Sequence, residues 1–278
     1  MSAPPKPKNL ILELLLAARG APLSAQDAIQ ACSLFDIAQS NVRVALVRLS
    51  SAGLIEGAGR GSYRLGEQAV ELAGDVATWR EAEARVRPWA GGYIAVHCAA
   101  LGRSDRVALR ARTRAFHMLG FEELERGLHI RPDSLAGGIE AIRKRLHVLG
   151  LEPAANIFLA NEFDAAREGR ARALWDGQAL TASYRQTRQH LKRWLDAAGE
   201  LEPDVAAREA FLLGSRAIRQ VVFDPLLPEP LVDVDERHGF VAAVRQFEQA
   251  GRAIWQRFFA SRDMTPAAPQ PLPVPLAH

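Results

Sequence analysis

The sequence predicts an α+β protein of several domains. Three observations predict it. An N-terminal stretch with helical apolar spacing gives way to two short extended runs around a Gly-rich turn. A middle stretch alternates apolar strands with helices, and the final third is helical with one stiff Asp-Pro break. At 278 residues the chain has room for two or three domains. Its 48% hydrophobic and 24% charged residues are those of a folded chain and exclude wholesale disorder.

Leu10, Ile11, Leu14 and Leu15 give residues 8–18 a helical period, which Gly20-Ala21-Pro22 breaks. Ser24 is suited to cap a second helix, with Asp27 completing a capping box, and that helix runs through Cys32. Ser40 is expected to cap a third helix, with Val42, Ala45, Leu46 and Leu49 on its buried side and Gly53 at its end. Leu54-Ile55-Glu56, the turn Gly57–Gly61 and Ser62-Tyr63-Arg64-Leu65 read as a hairpin. Three helices followed by a hairpin is the order of a winged helix-turn-helix, assigned to residues 8–70.

A linker over 71–90 is expected to be helical from Asp75 to Arg87, ending at Pro88. In residues 91–163, strands at Tyr93–Cys98, Glu122–Leu124, Leu128–Ile130 and Ile157–Ala160 alternate with helices at 104–119 and 134–149. That β-α-β-β-α-β order predicts a ferredoxin-like central α/β domain. Residues 164–262 form a C-terminal helical domain of three or four helices, with apolar periods over Leu180–Leu195, Ala207–Val222 and Phe240–Phe259. Asp224-Pro225-Leu226-Leu227-Pro228 separates the last two. The tail, 263–278, carries five prolines from Pro266 to Pro275 and is expected to be flexible.

The apolar run Leu10–Ala18 is broken by Glu13 and is too short to span a bilayer, so no membrane partner is expected. The first nine residues lack the apolar core of a signal peptide. Two distant cysteines, Cys32 and Cys98, make no disulfide framework, which points to the cytoplasm. No nucleophile elbow, P-loop, dinucleotide fingerprint or zinc-protease motif is present. The seven histidines, among them His97, His117, His129 and His147, show no metal-ligand spacing. No catalytic residue, metal or cofactor is therefore expected. Cys98, next to His97 on a strand, is expected to be a core residue. The five tryptophans (Trp79, Trp89, Trp175, Trp194 and Trp255) read as packing anchors.

The third helix is the most informative element. Opposite its apolar side it carries Asn41, Arg43, Val44, Val47 and Arg48, with Ser40 at its start. A helix N-terminus attracts phosphate, and Arg and Asn can pair with guanine and adenine edges. The hairpin adds Arg60 at a Gly-rich tip, with Ser62 and Arg64 on the return strand. The same helix alone suits a solvated amphipathic face; the hairpin beside it favours double-stranded DNA. This block carries seven Lys/Arg against five acids, and the whole chain is +3, so electrostatic steering is weak and a homodimer is expected for tight binding. Arg103, Arg106, Arg110 and Arg114 make a basic stripe, expected to be a solvated face paired with Glu122, Glu123 or Glu125. A different class remains open: an RNA-binding protein or metal-dependent nuclease on the central domain. It would need acids for a metal, and Asp105 and Asp133 are explained by caps at helix starts.

Four segments resemble the PaaX-like transcriptional regulators, a family named for the repressor of phenylacetic acid degradation. They are SNVRVALVRLSSAGLIE (40–56) with GRGSYRL (59–65), RTRAFHMLGFEELERGLHIRP (112–132), LWDGQALTASYRQTRQHLKRWL (174–195) and REAFLLGSRAIRQVVFDPLLPEPL (208–231). The resemblance implies a cytoplasmic, homodimeric repressor released from its operator by an aryl-acyl-CoA such as phenylacetyl-CoA. Arg131, Arg216 and Arg219 are candidates for the effector's phosphates, and Trp175 and Tyr184 for its acyl chain. The chain departs from the family at Ser215-Arg216, where members often have His-Glu, and at Asp235–Gly239, where they often have Trp-Pro-Gly.

Overall fold

The first helix, α1 (Pro7–Ala17), starts on a proline at its first turn and buries Leu10, Ile11, Leu14 and Leu15. The structure, a computed structural model, describes residues 5–18, 20–69, 79–102 and 104–263. α2 (Ala25–Ser33) opens on the expected capping box: the Asp27 N–H donates to Ser24 Oγ at 2.9 Å, and the Asp27 carboxylate accepts from the Ser24 N–H at 3.3 Å. α3 (Gln39–Ser51) buries Val42, Ala45, Leu46 and Leu49, the four residues its period predicts. Ser40 is not its cap. Ala38 holds that position without a side-chain bond, and Ser40 sits in the first turn. Residues 38–41 are exposed, and the Asn41 N–H donates to Ala38 O at 2.9 Å. The helix closes through Gly53: Leu54 N–H reaches Leu49 O at 2.9 Å and Gly53 N–H reaches Ser50 O at 2.9 Å, a Schellman closure.

The expected hairpin, β2 (Ile55–Gly57) with β3 (Ser62–Leu65), gains a third antiparallel strand, β1 (Leu23–Ser24). Leu23 pairs with Tyr63 and Ser24 with Ser62. Two residues are too few to show a strand period, so β1 is invisible in the sequence.

The chain divides into two compact units. One takes the chain up to Ala69, Ala198–Phe211 and the chain from Gln249. The other takes residues 70–197 together with Leu212–Glu248. In the first unit, Phe35, just after α2, lies edge-on to Phe211 at 5.4 Å, and Phe211 meets Trp255 at 6.5 Å. Phe211 and Trp255 of the last helices thus join Phe35, a long-range closure that periodicity does not reveal.

The second unit is built on a four-stranded sheet: β4 (Tyr93–His97), β5 (Glu122–Glu125), β6 (Leu128–Pro132) and β7 (Asn156–Ala160), with α4 (Arg106–Met118) and α5 (Gly138–Val148) in the β-α-β-β-α-β order. The strand order is β5-β6-β4-β7 and every pairing is antiparallel. Tyr93, Ile94, Ala95 and Val96 are all buried, so the central strand is covered on both faces. Four helices follow: α6 (Ala165–Arg172), α7 (Gly177–Ala197), α8 (Pro203–Val222) and α9 (Val234–Asp263). α6 is missed by periodicity because Ala171 is its only buried residue.

Two expectations are corrected. The described part of the linker is two 3-10 turns, Trp79–Glu81 and Glu83–Arg85, rather than an α-helix; residues 71–78 lie outside the described set, as does most of the Pro-rich tail. The helix expected from 134 begins at Gly138. Both changes have one cause. Residues 85–87 pair with 134–136: Arg87 N–H donates to Ser134 O at 2.8 Å, Ala136 N–H donates to Arg85 O at 2.7 Å, and Val86 bridges Leu135. Extended pairing uses the backbone groups a helix would need.

Candidate nucleic-acid interface

With its four apolar residues fixing one side of α3 inward, the helix presents Ser40, Asn41, Arg43, Val44, Val47 and Arg48 outward, all exposed. At about 100° per residue, Val44, Val47 and Ser40 lie along the middle of the outer face. Arg43 and Arg48 flank them on opposite sides, and Asn41 lies beyond Arg48. The helix contains no acid. Among the described residues, Arg43 and Arg48 have no ion-pair partner, so both guanidinium groups face water.

Beside it, the turn joining β2 and β3 carries Arg60 at its tip. Gly59 (φ 123°) and Gly61 (φ 71°) flank it in backbone conformations that favour glycine. A Cβ at either would meet no heavy atom within 4 Å, so the glycines serve the turn itself and leave the tip open to a close-approaching partner. Ala58 N–H to Ser62 O at 2.9 Å and Ser62 N–H to Gly59 O at 3.3 Å hold the turn. Ser62 is half-buried at the base of the tip. Arg64 is exposed but committed: its Nε donates to Glu56 Oε1 at 2.6 Å across the strand pair. Among the described residues of α3 and the turn, Arg43, Arg48 and Arg60 are therefore open cations, and Arg64 is a restrained one.

The five expected effector residues lie in the second unit. Arg131, Trp175 and Tyr184 are buried, and two of them are tied to backbone carbonyls. Arg131 donates to Pro132 O at 3.1 Å, to Leu119 O, and to Pro225 O at 3.5 Å. Burial pulls its pKa down to about 9, which leaves it protonated at neutral pH. Trp175 Nε1 donates to Gly120 O at 3.2 Å. The Tyr184 ring stacks on Phe240 at 5.4 Å, and burial with the neighbouring Asp224 raises its pKa. Arg216 and Arg219 are exposed one turn apart on α8.

Of the basic stripe, Arg106, Arg110 and Arg114 are exposed on α4, and Arg103 lies outside the described residues. Among the described residues, Arg106, Arg110 and Arg114 make no ion pair with the β5 acids. Glu123 accepts the Gly127 N–H at 2.7 Å, and Glu125 is taken by Arg167 and Arg170 at 3.3 Å. Burial raises the Glu122 pKa, offset by His117. The residue that does pair on this helix is the inward Arg112, bonded to Glu152 through both guanidinium nitrogens that face it.

Asp105 caps α4, accepting the Val107 and Ala108 N–H groups at 2.8 and 3.1 Å. Asp133 is not at a helix start; it pairs with Arg87 at 2.6 Å. Among the described residues, no group of three or more His, Cys, Asp or Glu is placed to hold a metal, and no helix is long and apolar enough to cross a membrane. Cys98 is buried with its thiol pKa raised by desolvation, while His97 points outward, as strand alternation predicts.

Comparison with curated proteins finds no match. Among solved structures, an uncharacterized protein (Rv0674) from Mycobacterium tuberculosis is similar in fold: TM-score 0.63 at 24% identity, over 91% of this chain and 99% of that one. Two family descriptions match: PaaX-like protein over residues 6–69, the segment holding α3 and the Arg60 turn, and PaaX-like protein C-terminal domain over 175–257. The chain belongs to the PaaX-like family, a family of regulators of phenylacetic acid catabolism.

Proposed function

We propose that the protein is a ligand-responsive, DNA-binding transcriptional repressor of an aromatic-acid catabolic operon. Residues 8–70 act as a winged helix-turn-helix, with α3 in the major groove and the Arg60 turn as the wing on the flanking backbone. One observation carries the reading. α3 turns an acid-free face with two unpaired arginines to solvent, next to a Gly-flanked arginine tip. Arg43 and Arg48 sit on opposite sides of the helix, which suits a groove with a phosphate wall on each side. Ser40 and Asn41 are near the N-terminal end that contacts base edges, and Arg60, Ser62 and Arg64 serve the neighbouring sugar-phosphate backbone.

A single head of this charge binds weakly, so two copies in a homodimer would place two α3 helices in successive major grooves roughly 34 Å apart. Residues 91–163, with strand order β5-β6-β4-β7, are read as the ferredoxin-like domain. Family membership supports an aryl-acyl-CoA such as phenylacetyl-CoA as the releasing effector. Arg216 and Arg219 suit its phosphates. The buried residues, Arg131 for a phosphate and Trp175 and Tyr184 for the acyl chain, would be reached only as their neighbours separate, which couples occupancy to a change of state.

The test is footprinting of the protein on DNA flanking aromatic-acid catabolic genes, with and without phenylacetyl-CoA. Protection by wild type, its loss in Arg43→Ala with Arg60→Ala, and its release by the CoA thioester are expected. Equal protection by the double variant would remove the assignment of α3 and the turn. Protection unaffected by the thioester would remove the effector.

A further inference from the structure

The centre of the exposed α3 face is apolar. Val44 and Val47 are 48% and 65% exposed, in a helix whose core side is fully occupied. They are the one pair of large exposed apolar residues one turn apart on a described helix; Val107, Val148, Val205 and Phe223 stand singly. A solvated helix face gains nothing from two adjacent valines, and valine is a weaker helix former than the polar alternatives. The pair needs an occupant.

The neighbourhood specifies its chemistry. Arg43 and Arg48 flank the valines about 70° to either side, and no acid lies on the helix. The occupant is therefore apolar at its middle and anionic at both margins. The DNA major groove has that cross-section where it contains thymine: phosphates line both walls, and the C5-methyl of thymine is the apolar group on its floor. Val44 and Val47 are separated by about 4.5 Å along the helix axis, comparable to the rise of one base-pair step.

We infer that Val44 and Val47 read thymine methyl groups on adjacent or near-adjacent base pairs, while Arg43 and Arg48 hold the groove walls. This rests on the DNA-binding reading above. It gives the site a sequence preference, since methyl contact discriminates T·A from C·G and from the same pair carrying uracil.

The experiment selects duplexes bound by the full-length protein from a random library, then replaces each thymine of the winning sequence singly with deoxyuridine. This change removes one methyl and leaves base pairing intact. Affinity is expected to fall about fourfold at one or two positions per half-site, the effect of losing one buried methyl group. Those positions should lose their deoxyuridine sensitivity in Val44→Ser or Val47→Ser, both exposed residues whose replacement leaves the core intact. Selected duplexes indifferent to every substitution would overturn the thymine inference and leave DNA binding standing; the valines would then serve a protein partner. Failure to enrich any duplex would overturn the DNA-binding reading itself.

Discussion

Gly120 packs against Pro225: a Cβ added at Gly120, which has φ 68°, would fall 2.7 Å from the Pro225 Cβ. The Gly-Phe turn after α4 and the Asp-Pro break after α8 thus meet at a spot with no room for a side chain. Trp175 Nε1 bonds the Gly120 carbonyl, and Arg131 spans the Leu119 and Pro225 carbonyls. Asp224 starts the break by accepting the Leu226 N–H at 2.8 Å. Gly120→Ala is expected to destabilise the protein by about 2–4 kcal/mol, through overpacking and a strained φ together. Gly169→Ala, inside α6 with nothing within 4 Å, is the control and should be neutral or mildly stabilising. Urea unfolding of both variants checks the contrast.

Glu152 is held below the usual carboxylate range by the Arg112 guanidinium. A carboxylate whose folded pKa is depressed stabilises the fold at all pH values above its unfolded pKa, and that contribution is lost as pH falls through the folded value. Glu152→Gln should therefore cost about 2–4 kcal/mol at pH 7, because it leaves the nearly buried Arg112 without its anion. The gap between variant and wild type should narrow as pH falls below about 4.5. Thermal melts of both proteins from pH 7 down to pH 3 read it.

The Glu56–Arg64 pair lies on the hairpin, with both side chains about half exposed. Such a pair contributes little to stability. On the proposed DNA-binding reading its effect is on binding, because Glu56 restrains Arg64 and would repel phosphate. Glu56→Ala is expected to leave the melting temperature within a degree or two and to tighten DNA binding severalfold at low salt. Arg64→Ala should weaken binding less than Arg60→Ala does. Fluorescence anisotropy on one duplex ranks the three.

The N-terminal helices and the hairpin were legible because the apolar spacing at Val42, Ala45, Leu46 and Leu49, the Ser24–Asp27 box and the Gly-rich turn are local signals. The outward residues of α3 follow directly from that spacing. What was hidden depends on partners distant in sequence. β1 exists because Leu23 finds Tyr63, and the 85–87 segment is extended because it finds 134–136. Phe211 and Trp255 join the first core through Phe35. Arg131 and Trp175, expected at a ligand site from residue type, are committed to backbone carbonyls that only the folded chain brings to them. The stripe on α4 has open arginines because Glu125 is captured by Arg167 and Arg170 of α6, the helix whose sequence shows no apolar face.

The proposed DNA binding requires α3 and the Arg60 turn to face phosphate and base edges together. The most direct measurement is the salt dependence of duplex affinity for wild type, Arg43→Ala, Arg48→Ala and Arg60→Ala. Each arginine that meets a phosphate should reduce the slope of log K against log salt by about 0.9 per bound head when removed. The expected result is a shallower slope and weaker binding for all three variants. Four superimposable salt curves would contradict it.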